Sequence, residues 1–372
     1  MSMSFSDFDT AMMQRALYLA GSVGNTTSPN PKVGCVITQG QHIVGEGFHV
    51  IAGAPHAEVH ALRQAAHLAQ GATAYVTLEP CSHTGKTPPC ANALIQAGVA
   101  RVVCAMVDPN PQVAGQGLQR LQDAGIQAQA GLLAIEAAAL NRGFLSRIQR
   151  KRPFVTLKLA ASLDGKTALA NGQSQWITGS KAREDVQHLR AQSNAIITGS
   201  GTVILDNPQL TVRNQIMIKP PVRVVLDRQL KSPSHAQIFN TEVAPTILFT
   251  RPENNTQAYE DLGVTSLCWQ GENLFEVLEQ LAEKGINEVW VEAGMTLSSA
   301  FLQQNLVDEL ILYQAPKILG HNAKGLFDFN VQADVLQQHS VWKTHTVTPI
   351  GEDIKWHLRH SQHVGEQGEI LI

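Results

Sequence analysis

Residues 72–90 read ATAYVTLEPCSHTGKTPPC, and how they are understood decides the fold of the first half of the chain. ATAYVTLE is rich in β-branched and aromatic residues and reads as a strand. It runs directly into Pro80-Cys81, and Cys90 follows after eight intervening residues. Upstream, His56-Ala57-Glu58 heads a helical stretch from Ala57 to Ala69. An imidazole and two thiolates are ligands of the kind zinc takes, and three protein ligands leave the fourth tetrahedral position open to water. His56, Cys81 and Cys90 are therefore the expected metal ligands, and Glu58 beside them is the expected catalytic proton carrier.

With His56 at the start of one helix, Cys81 just past a strand and Cys90 opening the next helix, two helix N-termini face the metal. Their partial positive charge favours thiolate and carboxylate. Taken singly, these residues read as a surface His, a solvated Glu and two core cysteines; in this order, with Pro80 before Cys81, they make a site. The arrangement H-x-E…P-C-x-x-C is the signature of zinc deaminases, in which the Glu is general acid and base. Here the spacer between the cysteines is eight residues instead of two. The chemistry implied is attack on a ring carbon bearing an exocyclic amine, with ammonia leaving. His83, Thr84 and Lys86 lie on the spacer, and its metal-tied ends make them candidates for substrate contact. Gly85-Lys86-Thr87 is not a P-loop, because the first glycine of that motif would fall on Pro80. Lys86 suits a phosphate, and equally suits a plain solvated charge.

The chain has 372 residues, more than the roughly 250 to 300 at which single cores stop growing, so two domains are expected. Hydrophobic residues make up 44% and charged residues 16%, the composition of a globular protein. A net charge of −3 provides no basic field for nucleic acid, so small molecules are the expected partners. The N-terminus has no basic region ahead of its apolar stretch and does not read as a signal peptide. No run of about 18 apolar residues suggests a membrane span, and a cytoplasmic location is expected. Five cysteines make no disulfide framework. Cys35, Cys104 and Cys268 sit in apolar runs and are expected to be buried.

Through residue 150, KVGCVIT, HIVGEGFHV, ATAYVTLE and RVVCAMVD alternate with helical stretches. This predicts a layered α/β domain with a mixed sheet, QGQHIVGEGFHV turning back on KVGCVIT as a hairpin. The basic segment RIQRKRP is expected to be a linker dividing the chain into 1–150 and 151–372. Beyond it FVTLKLAAS, NAIITGS, RVVLD, TILFT and EVWVEAG alternate with helices, which again predicts α/β. SVWKTHTVT and DIKWHLRH read as an antiparallel pair closing that sheet. VWVEAGMTLSSAF places Glu292 and Gly294 at a strand-to-helix turn, which suits either a phosphate or an ordinary turn. ITGSGTVILDNPQLTVR is not a Rossmann fingerprint, since its third glycine would fall on Ile204.

The runs SPNPKVGCVI, GFH and HAE, and above all PCSHTGKTPPC with its long spacer, closely resemble the bacterial bifunctional riboflavin-biosynthesis deaminase/reductase family. FVTLKLAASLDGK, SQWITG, TVILDNPQLTVR and VEAG resemble its reductase half, so the resemblance runs from about Asp7 into the 340s. It implies an N-terminal cytidine-deaminase-like three-layer domain and a C-terminal dihydrofolate-reductase-like α/β domain. It also implies zinc-dependent deamination of 2,5-diamino-6-(5-phosphoribosylamino)pyrimidin-4-one, then NADPH reduction of the ribosyl group to ribityl. By the resemblance, Asn30, His49, His83 and Lys86 would hold the deaminase substrate. Ala160, Trp176, Thr202, Asp206, Arg228 and the run Gly294, Met295, Thr296, Leu297, Ser298, Ser299 and Ala300 would line the NADPH. Ser174, Arg190, Leu210, Arg213 and Glu292 would line the reductase substrate, with the guanidinium forks of Arg190 and Arg213 matching phosphate oxygens. Lys158 and Asp206 are the polar candidates for the reductase proton donor.

Two other readings follow from the same residues. A nucleic-acid base deaminase with an accessory domain shares HAE and PC, but should show a basic stripe and stacking aromatics; aromatic content is 5% and the net charge is negative. A binding protein with structural zinc would use four ligands, with His49 or His83 as the fourth. That closed site would leave Glu58 without a task. A homo-oligomer, dimer or tetramer, is expected.

Overall fold

The computed structural model describes residues 5–82, 89–110, 113–213, 219–329 and 341–363. His83 and Lys86 lie outside the described residues. The chain divides into two compact units, Met1–Arg150 and Lys151–Leu371.

In the first unit, helix α1 (Asp7–Gly21) opens with a capping box in which Ser6 and Asp9 satisfy each other's backbone amides. Strands β1 (Gly34–Gln39), β2 (His42–Phe48), β3 (Thr73–Val76), β4 (Arg101–Cys104) and β5 (Gln127–Ala130) form one sheet in the order β2-β1-β3-β4-β5. β1 is antiparallel to β2 and β3, whereas β3, β4 and β5 run parallel, so the sheet is mixed as the hairpin predicted. Helices α2 (Ala57–Ala65), α3 (Cys90–Gln96), α4 (Gln116–Asp123), α5 (Ala134–Leu140) and α6 (Arg142–Arg150) complete the unit. One face of the sheet packs Cys35, Ile37, Ala74 and Val76 with Ala57, Ala61 and Ala65 of α2. The other packs Val36, Tyr75 and Val103 with Met13 and Ala16 of α1.

The backbone of α2 lies directly against β2. A Cβ on Gly45 would collide with the Ala61 carbonyl, and one on Gly47 with the Ala57 carbonyl and, at 2.6 Å, the Ala61 amide. The helix that begins at His56 is thus seated on bare strand backbone. α2 is shorter than expected: it stops at Ala65, and Ala66, with φ of 49°, turns the chain into a 3-10 segment through Ala69.

The second unit is built on nine strands: β6 (Phe154–Ser162), β8 (Ala195–Gly199), β9 (Val222–Leu226), β10 (Thr246–Thr250), β11 (Thr265–Cys268), β12 (Glu288–Glu292), β13 (Glu309–Ala315), β15 (Trp342–Ile350) and β16 (Asp353–His360). β7 (Lys166–Ala168) and β14 (Lys324–Gly325) pair separately. The order is β11-β10-β9-β8-β12-β6-β13-β16-β15. The strands from β11 to β13 are parallel, and the tail pair β16 and β15 is antiparallel and closes the sheet, as the alternation predicted. Helices α7 (Ser180–Gln192), α8 (Ser200–Asp206), α9 (Gln257–Glu260), α10 (Leu274–Glu283) and α11 (Met295–Gln303) connect them. From β8 the chain steps outward to β11 and then returns to place β12 between β8 and β6. Such a reversal of strand order opens a crevice at the carboxyl ends of the strands, where open α/β sheets bind ligands.

Two expectations need correction. RIQRKRP is not a loop: α6 runs through Arg150, whose guanidinium donates to Ser146 Oγ one turn back at 2.7 and 3.1 Å, leaving only Lys151 to Pro153 to connect β6. Cys268 is exposed, unlike Cys35 and Cys104, because β11 is the edge strand of the sheet. Among the described residues no helix is long and apolar enough to cross a membrane.

Candidate metal centre and reductase crevice

The first unit brings His56, Cys81 and Cys90 together with their ligand atoms within 4.8 Å of one another. His56 is the N-cap residue of α2 and Cys90 the first residue of α3, so two helix N-termini converge as the spacing predicted. His56 Nδ1 lies 3.7 Å from Cys81 Sγ and 3.3 Å from Cys90 Sγ. A tetrahedral zinc with bonds of about 2.3 Å to sulfur and 2.0–2.1 Å to nitrogen has N···S edges of about 3.6 Å. The observed separations bracket that value, and the donor set is the one zinc prefers. The Cys90 amide donates to Cys81 Sγ at 3.3 Å, a hydrogen bond that favours the thiolate. Hydrogen bonding from Cys90 lowers the Cys81 pKa, with His56 acting in the same sense against burial. Cys90, the donor of that pair, is correspondingly raised, and burial adds to the rise.

Glu58 is 3% exposed, and its Oε2 has no hydrogen-bond partner among the described residues. Burial pushes its carboxyl above the usual range, so it holds a proton more readily than a surface Glu. His49 stands edge-on to the His56 ring at 5.3 Å between centroids. The Pro55 carbonyl, 3.2 Å from His49 Nδ1, can only accept, which places the His49 proton on Nδ1. Nε2 is then the acceptor for Asn30 Nδ2 at 3.1 Å. Burial lowers the His49 pKa and favours this neutral form. Asn30, His49 and His56 thus form one connected group.

In the second unit the carboxyl ends of β8, β12 and β6 gather the expected reductase residues. Glu292, the last residue of β12, accepts from Arg190 Nε at 2.5 Å and Nη2 at 2.8 Å, and from Trp290 Nε1 at 2.8 Å. Burial raises its pKa, but Arg190 outweighs burial and holds the carboxyl down at about 2. Arg190 Nη1 donates to the Thr211 carbonyl at 3.1 Å, so all three guanidinium nitrogens of Arg190 are engaged within the protein. Lys158 on β6 is in register with Glu292, and in-register residues share a face of the sheet. Burial pushes the Lys158 ammonium down, against the pull of Glu292. Ala160 follows on the same face, in register with Tyr313 of β13.

Ser174 and Trp176 lie in the turn before α7. Trp176 is 62% exposed, with the Arg183 guanidinium 4.5 Å from its ring centroid, and the Trp176 backbone carbonyl accepts from Lys317 Nζ at 2.8 Å. Leu210 is buried in a left-handed conformation, φ 48°, and the amide of exposed Arg213 donates to Gln187 Oε1 of α7 at 2.9 Å. Gly294 is the N-cap residue of α11, whose first turns hold Met295, Thr296, Leu297, Ser298, Ser299 and Ala300. Leu297 packs on Gly199 (a Cβ there would meet it at 3.3 Å), which sets α11 against α8 and its Thr202 and Asp206. Arg228 is not drawn into this group: its carbonyl accepts from Asn254 and its side chain packs on Gly271.

Two family models match the chain. The cytidine and deoxycytidylate deaminase zinc-binding region covers residues 6–106, and the RibD C-terminal domain covers residues 153–366. Riboflavin biosynthesis protein RibD of Haemophilus influenzae is 48% identical over 95% of this chain and 98% of its own length. The chain belongs to the RibD family. The RibD of Escherichia coli is 49% identical over 94% of this chain and 99% of its own. A solved Acinetobacter baumannii RibD superimposes with a TM-score of 0.89 at 48% identity, covering 95% of this chain and 99% of that one. A Thermotoga maritima structure, described as a diaminohydroxyphosphoribosylaminopyrimidine deaminase/5-amino-6-(5-phosphoribosylamino)uracil reductase, gives 0.85 at 35% identity over the same shares. The α/β class and the deaminase-plus-reductase organisation expected from the sequence are those of the RibD family.

Some residues that shape this RibD-family site escaped the sequence reading. Glu79, immediately before Pro80-Cys81, is buried and accepts the amides of Asp108, Gly115, Gly117 and Leu118 at 2.7–3.2 Å. It ties the strand that delivers Cys81 to the start of α4. Arg120 of α4 donates to the Ser82 carbonyl at 2.8 Å and to Asn92 Oδ1 at 3.2 Å, bridging the residues that flank the two cysteines. A charge at the end of the apolar run AYVTLE was the available signal for Glu79.

Proposed function

We propose that the first unit hydrolytically deaminates 2,5-diamino-6-(5-phosphoribosylamino)pyrimidin-4-one, and that the second reduces the ribosyl group of 5-amino-6-(5-phosphoribosylamino)uracil to ribityl with NADPH. The observation that carries the first reaction is the convergence of His56 Nδ1 and two cysteine sulfurs beside a buried carboxyl oxygen that has no hydrogen-bond partner among the described residues. His56, Cys81 and Cys90 would hold the zinc, which when bound acidifies a water at its open position. Glu58 would carry two protons in turn, one from the attacking water to a ring nitrogen and a second from the hydroxyl left on the ring carbon to the departing amine, so that ammonia leaves and a carbonyl remains. His49, fixed by Asn30 and Pro55, orients His56 and borders the base. His83 and Lys86 complete this reading as contacts to the substrate, Lys86 to its phosphate.

In the second unit, bound NADPH supplies the hydride, and the residues from Gly294 to Ala300 with Ala160, Trp176, Thr202 and Asp206 border it. Ser174, Leu210, Arg213 and Glu292 border the sugar. Because Arg190 is committed to Glu292 and Thr211, the phosphate contact falls to the exposed Arg213, while Arg190 fixes the Glu292 carboxylate. Lys158, on the Glu292 face of the sheet with an ammonium made more acidic by burial, is the better proton donor of the two candidates. Domains 1–150 and 151–372 divide the two reactions, in a cytoplasmic homo-oligomer. The test is to give purified zinc-loaded protein the diaminopyrimidine substrate and follow ammonia, then NADPH absorbance. Ammonia followed by NADPH consumption supports both assignments; ammonia alone removes the second, and no ammonia from folded, zinc-bound protein removes the first, the second then being read on pre-deaminated substrate.

A further inference from the structure

The hairpin β15–β16 drew no role from the sequence, yet its turn and inner strand hold the helix around which the reductase crevice is assembled. Asp353, 3% exposed, accepts the amide of Gly179, the N-cap residue of α7, at 2.7 Å. Gly179 offers no side chain for the task, so a carboxylate from a segment 174 residues away supplies the negative charge that a helix N-terminus favours. Two residues further along, Lys355 Nζ donates to Asp185 Oδ2 of α7 at 2.7 Å, and Tyr313 Oη donates to the same oxygen at 2.5 Å. Lys355 and Tyr313 are in register, and Tyr313 is in register with Ala160, so this anchor lies on the face that carries Lys158 and Glu292. α7 distributes the constraint. It presents Arg190 to Glu292 and Thr211, accepts the Arg213 amide on Gln187, and sets Arg183 over Trp176 while Arg183 Nη1 holds the Thr178 carbonyl at 2.7 Å.

We propose that Asp353 and Lys355 are positioning residues of the reductase, acting through α7 on Arg190, Trp176 and the Leu210–Arg213 segment. This rests on the assignment of those residues to the reductase site. The test uses the full-length, zinc-loaded chain carrying Asp353→Ala, Lys355→Met, Asp353→Asn or Arg190→Gln. NADPH oxidation gives KM and kcat, ammonia release from the same sample reports on the first unit, and thermal unfolding followed by circular dichroism reports folding. Asp353→Ala and Lys355→Met should raise the KM for 5-amino-6-(5-phosphoribosylamino)uracil on the order of 10-fold, more than they lower kcat, since a misplacement of about 1 Å suffices for such losses. Ammonia release should not change. Asp353→Asn keeps an acceptor oxygen for the Gly179 amide and should recover most of the loss. A wild-type KM in folded Asp353→Ala and Lys355→Met, with KM raised in Arg190→Gln, overturns the positioning role alone. A wild-type KM in Arg190→Gln as well overturns the site assignment beneath it. Should Asp353→Ala fail to fold, the KM of Lys355→Met decides.

Discussion

Glu58→Gln separates proton transfer from metal binding more cleanly than any other change in the first unit. Glu58 Oε2 has no hydrogen-bond partner among the described residues, so an amide there forfeits no protein hydrogen bond, and the cost of its unpaired buried N–H is offset by relief from burying a carboxylate. The stability of the unit should therefore move by less than about 1 kcal/mol. His56 Nδ1 and the two sulfurs are unchanged in the variant, so zinc should remain at the wild-type stoichiometry. Activity is another matter. A positioned general acid and base contributes about 100- to 10,000-fold, and the middle of that range, about 1,000-fold, corresponds to about 4 kcal/mol of barrier. Ammonia release should fall by that order while NADPH oxidation of pre-deaminated substrate keeps its wild-type rate. The assay pairs metal analysis of the dialysed protein with both activities on one sample. Loss of zinc from Glu58→Gln would refute the reasoning by making the carboxylate a ligand, and retention of most deaminase activity would refute it by making the carboxylate a bystander.

Zinc removal by a chelator should abolish ammonia release, spare NADPH oxidation of pre-deaminated substrate and lower the melting temperature of the first unit, since a ligand of the native state alone stabilises it; a chelated sample with unchanged melting would count against a metal held by these residues. Arg152→Met should destabilise the second unit by about 3–5 kcal/mol, read by urea unfolding, because it takes the cation away from a buried carboxylate; Asp308, whose side chain is fully buried, accepts Arg152 at 2.8 Å through both oxygens and keeps only part of its bonding, the Val155 amide included, in the variant. A cost below about 1 kcal/mol would show that Asp308 finds other compensation. Burial raises the Asp9 pKa, but hydrogen bonds from Arg101, the Ser6 amide and Tyr75 outweigh it and hold the carboxyl well below its ordinary range. A depressed carboxyl contributes stability above its unfolded pKa of about 3.9 and loses it as pH falls toward the folded value, so Asp9→Asn should flatten the acid limb of the stability curve below about pH 5. Parallel limbs for variant and wild type between pH 7 and pH 3 would contradict this.

The convergence of His56, Cys81 and Cys90 was legible because its information is local. His56 with Glu58, and Cys81 with Cys90, sit at element boundaries that composition marks, and a strand followed by a helix start fixes where each side chain points. The strands were legible from alternation and apolar runs, FVTLKLAAS matching β6 residue for residue. What escaped depends on partners remote in sequence. Cys268 sits in the shorter apolar run LCW, and the strand order, which puts β11 at an edge, exposes it. Arg190 reads as a polar helix residue until β12 brings Glu292 against it, 102 positions away. The helical end of RIQR was hidden by its charge, since Arg150 completes its bonding within its own turn.

The close seating of α2 on β2 bears on how this half of the molecule can be altered by mutation or design. At Gly45 and Gly47 even a methyl group would strike the helix backbone, and the Gly47 contact lies beneath the turn that begins at His56. These strand positions are therefore poor sites for diversification: any larger residue there would have to push α2, and with it His56, away from β2. Under the proposed assignment of Asn30 and His49 to the base, new pyrimidine preference would be sought there and not at the strand positions beneath α2.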